Sequence, residues 1–460
     1  MNAYDVMALL CQKIRSLDKE SQSQLYRKYF ANIKAVDDTI ETYFLFLSKR
    51  NGSSNLYDSF SETEVEGIVR YIEDNSPEYW LYLLVYLDGH ISLENNFDKY
   101  CQKMVAPIQN VYYFKSLAEN SAGLIIPNFH SKWVKNNAHS SNELNEDPLS
   151  ILIEYIWVDK IDGWDVTNIY SPKWESNDKR AYVIVCSPLS DVCPFEFETY
   201  QHSDQNSFVI SEYIEEEQCK IKTRIEKTLS YANNKKASIV LFPELMVSRG
   251  TQSQCSGILK KHWEYEYPRI VCLPSSAFQE DREWKNQTQL LNDSGDALFI
   301  YNKQQAFQYE KDQIKYFEPI KPDHQICIIH IKGIGRVGLV ICADIFNTQI
   351  QEILYEKYRV DLILIMSYTC GTDQFLRDMA VAEKFSCDVV WCNSCSAYEM
   401  NSQDKYVVLY LSYGHKERKL YQISKCEKAN CEGCGVSIVI SPKYKGAGEI
   451  EQIFYSEEVL

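Results

Sequence analysis

Residues 236–250 read KASIVLFPELMVSRG. Ile239, Val240, Leu241 and Phe242 form an apolar run with no polar alternation, then Pro243 and Glu244 follow. Such a run reads as a strand buried on both faces, the kind found in parallel sheets. Folds of that class build their sites at the C-terminal edge of the sheet. Glu244 is therefore either the point where the chain returns to water or a base held at a dry edge. The same punctuation recurs twice. ALFIYNK ends on Lys303, and GRVGLVIC ends on Cys342, with Ala343 and Asp344 next in line.

Around these stretches, from Ala181 onward, strands alternate with helices. AYVIVCSPL, ASIVLFP, RIVCLPSSAF, DALFIYNKQ, QICIIHI, RVGLVICAD, DLILIMSY, DVVWCNS and GVSIVISP read as strands. SEYIEEEQCKIKTRIEKTLSYANN, TQIQEILYEKYR and DQFLRDMAVAEKFS carry helical spacing. The pattern predicts a layered α/β domain over 176–460. Residues 1–175 predict an all-helical interaction or packing domain. LDKESQSQLYRKYFANIKAVDDTIETYFLFLSK has helical spacing, Ser61 and Glu64 stand at capping-box spacing, and Ser76-Pro77 opens a further helix. Another helix is expected from about Ser92 to Lys115, a loop over 135–148, and the domain boundary within 171–180.

Composition narrows the function. The 460 residues carry a formal net charge of −16, and Lys and Arg form no run longer than a pair. That argues against nucleic acid or an anionic membrane as a partner. The longest apolar runs fall short of the roughly 18 residues a membrane span requires. The first twenty residues read as an amphipathic helix rather than a signal peptide, so a cytoplasmic location is expected. Sixteen cysteines without an even, tight framework read as reduced thiols. The eight histidines form no metal-ligand spacing; His324, His330 and His415 read as packing or surface residues. Phosphate-cradling glycine loops are absent, and no cofactor is expected.

Glu, Lys and Cys at three strand ends, expected to belong to one sheet, would supply what thiol catalysis requires. A base takes the thiol proton, and a cation holds the charge that develops on the attacked carbonyl. Here the sequence resembles the nitrilase superfamily of carbon–nitrogen hydrolases. LFPE, YNK and GLVICAD, in that order, look like its three signatures, and AEKFSCDVVWCN and GVSIVISPKYKG are similar to its later helix and strands. The resemblance covers roughly 181–455 and implies a four-layer α-β-β-α sandwich with a Glu244–Lys303–Cys342 triad. It implies an oxyanion donor at the backbone N–H of Ala343, a small amide or nitrile substrate with amide favoured, and a homo-oligomer. The dry edge is expected to raise the Glu244 pKa so that it shuttles protons.

The chain departs from that pattern in places. Ala343 follows the cysteine where an aromatic residue is usual. Lys311 stands where many members carry a second glutamate, which makes Glu310 the candidate for substrate positioning. Arg377 lies near, but out of register with, the family's arginine. Two C-x-x-C pairs, Cys392/Cys395 and Cys431/Cys434, are candidate zinc ligands, and the resemblance places them beside adjacent strands. The segment between them reads as an insertion that forms a hairpin over the pocket. The alternative reading is a nitrilase-fold scaffold with its chemistry weak or lost, including a part in a bacterial antiviral defence system. Residues 1–175 would then serve a protein partner.

Overall fold

The structure is a computed structural model that describes residues 3–31, 61–90, 112–114, 123–127, 155–159, 161, 163–170, 182–202, 205–261, 270–331, 334–385, 387–398, 405–413, 418–426, 431, 433–440 and 449–454. The chain divides into two compact units, 1–162 with 170–172, and 163–169 with 173–460. Among the described residues no helix is long and apolar enough to cross a membrane.

The first unit holds helices α1 (Ala3–Arg15), α2 (Lys19–Ala31), α3 (Glu62–Asp74) and α4 (Pro77–His90). At the start of α3 the Glu64 N–H donates to Ser61 Oγ and the Ser61 N–H donates back to Glu64 Oε2, the expected capping box. The unit is not all-helical. Strands β1 (Tyr112–Phe114), β2 (Gly123–Pro127) and β3 (Tyr155–Asp159) follow, with β2 and β3 antiparallel. Their sequences, YYF, GLIIP and YIWVD, are aromatic and β-branched, and that propensity for a pleated surface prevails over helical spacing. The helix expected from Ser92 thus ends in strand, and its earlier part lies outside the described residues. So do the loop 135–148, the stretch 171–180 and His415.

The second unit begins with β4 (Asp165–Tyr170), apart from its last residue, and continues with β5 (Tyr182–Cys186), β6 (Phe195–His202) and β7 (Gln205–Tyr213). Helix α5 (Glu215–Asn234), β8 (Ile239–Leu241), α6 (Arg249–Lys261), β9 (Ile270–Cys272), β10 (Ser276–Glu280), β11 (Glu283–Asn292) and β12 (Ala297–Asn302) follow. Next come β13 (Gln308–Lys311), β14 (Ile314–Phe317), β15 (Gln325–Ile331) and β16 (Gly335–Ile341), then α7 (Thr348–Gln351), which continues as a π-turn to Lys357. The remainder is β17 (Leu362–Ser367), α8 (Asp373–Glu383), β18 (Asp388–Asn393), β19 (Tyr406–Tyr413), β20 (Arg418–Ser424), β21 (Cys434–Ile440) and β22 (Glu449–Phe454).

One sheet runs β4-β15-β16-β17-β18-β19-β20, and a second runs β10-β11-β9-β8-β5-β21-β22 with β12 on β11. The centre of each is parallel: β16, β17 and β18 in the first, β5, β8 and β9 in the second. These are the unbroken apolar runs of the sequence, buried on both faces. Helices α5 and α6 cover one face of the second sheet, where Ile221, Ile225 and Leu259 pack with Val185, Val240 and Val271. On the first sheet Phe375 of α8 packs on Trp391, and Gly338 admits Leu354: a Cβ at 338 would lie 2.9 Å from its Cδ2. Between the sheets the Cys186 and Cys392 thiols meet. The result is the four-layer α-β-β-α order that the resemblance implied.

A further small sheet, β13-β14-β7-β6, was not expected from the sequence. The insertion between the C-x-x-C pairs does form a hairpin, β19–β20. It continues the edge of the first sheet beyond β18 rather than arching over a pocket.

Candidate active site

The ends of β8 and β12, from the second sheet, and of β16 and β17, from the first, converge on one point, so the three residues come from two facing sheets rather than from one sheet as expected. Glu244 lies just past β8, and its backbone N–H donates to Ser367 O at the end of β17. Lys303 lies just past β12, its N–H continuing the ladder to Asn286 O of β11. Cys342 follows β16 directly and opens a 3₁₀ turn, Cys342–Phe346, that includes Ala343.

The backbone at two of these ends is in the left-handed region. Cys342 has φ +49° and Leu245, next to Glu244, has φ +62°. A residue with a Cβ pays on the order of 1–3 kcal/mol for such a conformation, which persists only where its surroundings hold it. At Cys342 the holder is Asp344. One of its carboxylate oxygens accepts from Gln304 N (2.8 Å) and Gln305 N (2.6 Å); the other accepts from Tyr301 Oη (2.8 Å) and Ile341 N (3.1 Å). A single side chain thus ties the cysteine turn to the residues just after Lys303. Burial pushes Asp344 up to about 7, against the pull of Lys303 and of these donors.

The Lys303 ammonium sits between two carboxylates, 2.7 Å from Glu244 Oε1 and 2.6 Å from Glu318 Oε2. Asn286 Nδ2 donates to Glu244 Oε1 (2.8 Å) and to Glu318 Oε1 (3.0 Å), and Tyr368 N donates to Glu244 Oε2 (3.0 Å). Phe307 N donates to Glu318 Oε2 (3.1 Å). Glu244 and Lys303 are 1% and 2% exposed, so these charges act on one another with little screening. Burial opposes the charge on Lys303, but Glu244 and Glu318 outweigh it and hold its pKa well above the ordinary range. Burial raises Glu244, Lys303 pulls it back, and Glu318 pushes it up again. Burial, and then Glu244, hold the Cys342 thiol well above its usual pKa, and that thiol hydrogen-bonds Glu244.

Glu244, Lys303 and Cys342 are therefore brought together, with Ala343 beside them. Glu310 is not. It lies exposed on the β13–β14 hairpin, opposite Lys315. Glu318, just beyond β14, occupies the place beside Lys303 instead. The spacing signal failed because this hairpin lengthens the path from the lysine to the second carboxylate. Asn286 also gave no signal in the sequence, being a lone polar residue in a strand.

The C-x-x-C pairs do not build a metal site: among the described residues no three His, Cys, Asp or Glu side chains are placed to hold an ion. Cys392 and Cys434 lie on strands of different sheets, not on adjacent ones. Cys392 Sγ donates to Ser187 O, and Cys434 Sγ accepts from Gln452 Nε2. Burial holds Cys392 and Cys395 well above the ordinary thiol range and pushes Cys434 up to about 12; burial raises Cys431 too.

No protein-family model matches the chain, and no curated protein does. Solved structures do. A cysteine-to-alanine mutant of the amidase from Nesterenkonia sp. AN1, a nitrilase-superfamily protein, in complex with butyramide, is 12% identical over 58% of this chain and 93% of that chain, with a TM-score of 0.40. The C. elegans NitFhit protein is 17% identical over 58% of this chain and 62% of its own, with a TM-score of 0.38. The glutamine-dependent NAD+ synthetase from Acinetobacter baumannii is 14% identical over 61% of this chain and 49% of its own, with a TM-score of 0.41.

Proposed function

We propose that this chain cleaves the C–N bond of a small, non-peptide amide through a thioester on Cys342. The observation that supports this most is the buried Lys303 ammonium, held between Glu244 and Glu318 beside a cysteine in left-handed backbone.

The chemistry runs in two halves. Glu244 accepts the Cys342 proton as Sγ attacks the amide carbon, forming the C–S bond. Lys303 and the Ala343 N–H stabilise the oxyanion. As the tetrahedral species collapses, the C–N bond breaks and Glu244 passes its proton to the departing amine. Water then enters, Glu244 takes one of its protons, and hydroxide attacks the thioester. The carboxylic acid leaves, and the proton returns to Cys342. A Glu244 pKa raised by burial suits a group that must both take and give the proton.

A pure scaffold leaves the cost of this arrangement unexplained. Burying three charges costs several kcal/mol per ion before pairing, and the left-handed cysteine adds to it. The test is turnover of an amide panel by the full chain, with release of the amine and the acid both measured. Cys342→Ala and Glu244→Gln should each lose activity by about 10³-fold or more. Turnover unchanged in Cys342→Ala would refute the proposal.

A further inference from the structure

An arc of aromatic rings runs from one flank of the triad to the other. It starts at Phe307, whose ring centroid lies 5.8 Å from Lys303 Nζ. Phe307 meets Phe208 at 6.5 Å between centroids, Phe208 meets Phe197 at 6.0 Å, and Phe197 meets Phe195 at 4.8 Å. Phe195 meets Tyr368 at 5.0 Å, and the Tyr368 N–H donates to Glu244 Oε2. The arc thus begins beside the cation that would hold the oxyanion and ends at the residue whose backbone N–H touches the base. Phe195, Phe197 and Phe208 come from β6 and β7, the hairpin of the small sheet.

Filling the interior of that sheet does not account for the whole arc. Phe195 and Phe208 are buried, but Phe197 is 48% exposed and Phe307 and Tyr368 are half-buried. Phe307, whose ring lies beside Lys303, thus keeps accessible surface. The five rings carry no charge, and the Tyr368 hydroxyl is already engaged with Ser396 O at 3.3 Å and Cys193 Sγ at 3.4 Å. Binding sites for small molecules are mostly apolar and aromatic, with a few placed polar groups. A site of that kind here would take its polar groups from the triad and its apolar wall from the arc. Neighbouring rings meet largely edge-on, with interplanar angles of 86°, 73° and 76° along the first three contacts. A substrate ring would continue that geometry, and edge-to-face contacts add to what area burial gives.

We infer that the amide this site takes carries a planar apolar group, an aryl ring, and that Phe208 and Phe307 determine that preference. The inference rests on the reading of Cys342 as the reacting atom, but its test uses binding alone. Cys342→Ala in the full chain, with Cys342→Ser as a second form should the first fail to fold, is titrated with phenylacetamide, N-benzylacetamide and isobutyramide. Ligand-observed NMR gives each affinity. At least one aryl amide binds about tenfold tighter than isobutyramide, the scale of one or two ring contacts. Phe208→Leu and Phe307→Leu each shrink that ratio toward unity, and Phe307→Tyr restores it. Equal binding of all three amides, binding of none, or a ratio unmoved by both leucine variants overturns the inference. Those results leave turnover at Cys342 to be judged separately. Loss of the nucleophile's role would conversely leave an aryl preference measurable.

Discussion

The ammonium of Lys303 lies 2.7 Å from the Glu244 carboxylate, across 59 residues of sequence, and both side chains are almost wholly out of water. The same ammonium also pairs with Glu318 at 2.6 Å, so it is the counter-charge of both carboxylates. Lys303→Ala would leave Glu244 and Glu318 facing one another unpaired. Breaking a buried pair from one side typically costs about 3–5 kcal/mol. Urea unfolding of Lys303→Ala should show a loss of that order. Lys303→Ala with Glu318→Gln should recover part of it, because one carboxylate is then neutral.

Asp344 is expected to matter without touching substrate. Asp344→Ala would leave the buried N–H groups of Ile341 and Gln304 without this acceptor, at about 1–3 kcal/mol each. It would also release the left-handed turn at Cys342. The expected outcome is a lower urea midpoint together with a slower reaction of Cys342 toward iodoacetamide. Asp344→Asn, which keeps one acceptor oxygen, should fall between the variant and the wild type. A fall in stability with Cys342 reactivity unchanged would remove Asp344 from the positioning role.

His330 sets a different pH dependence. It is buried on β15 with Nε2 2.9 Å from Asn168 Oδ1. Burial, with Arg336 nearby, lowers its pKa to about 3. A histidine lowered in the fold contributes its full stability above the unfolded value near 6.5 and loses it as pH falls from there toward 3. The slope from this one group is about 1.4 kcal/mol per pH unit at its steepest. Urea midpoints measured from pH 7.5 to 4.5 should show it, and His330→Gln should flatten it.

The sequence carried the parts of the fold that are dry on both faces. ASIVLFP, GLVIC and DLILIMS read as strands buried on both faces, and they are. Glu244, Lys303 and Cys342 meet because the ends of β8 and β12 in one sheet face the end of β16 in the other. What was not legible follows from weaker physics. In β6 and β7, FEFETYQH and QNSFVISEY, aromatic and polar residues are mixed along the strands, without the unbroken apolar runs of the interior. Glu318 is set by the length of the β13–β14 hairpin, which no motif encodes. Residues 112–170 have aromatic and β-branched content that competes with helical spacing over short stretches.

The central claim is that Glu244 serves as the base for Cys342. The direct measurement is the rate of Cys342 alkylation by iodoacetamide against pH, site by site by mass spectrometry, in wild type and Glu244→Gln. Glu244 is raised above the ordinary carboxylate range and Cys342 well above the ordinary thiol range. The wild-type rate should therefore rise through the Glu244 pKa, at a midpoint above 4.5, and then hold a plateau before the thiol itself ionises. In Glu244→Gln the plateau should vanish, leaving a rate that climbs about tenfold per pH unit with thiolate alone. A wild-type Cys342 that shows only that climb, and reacts no faster than the buried Cys255 and Cys272, would contradict the account.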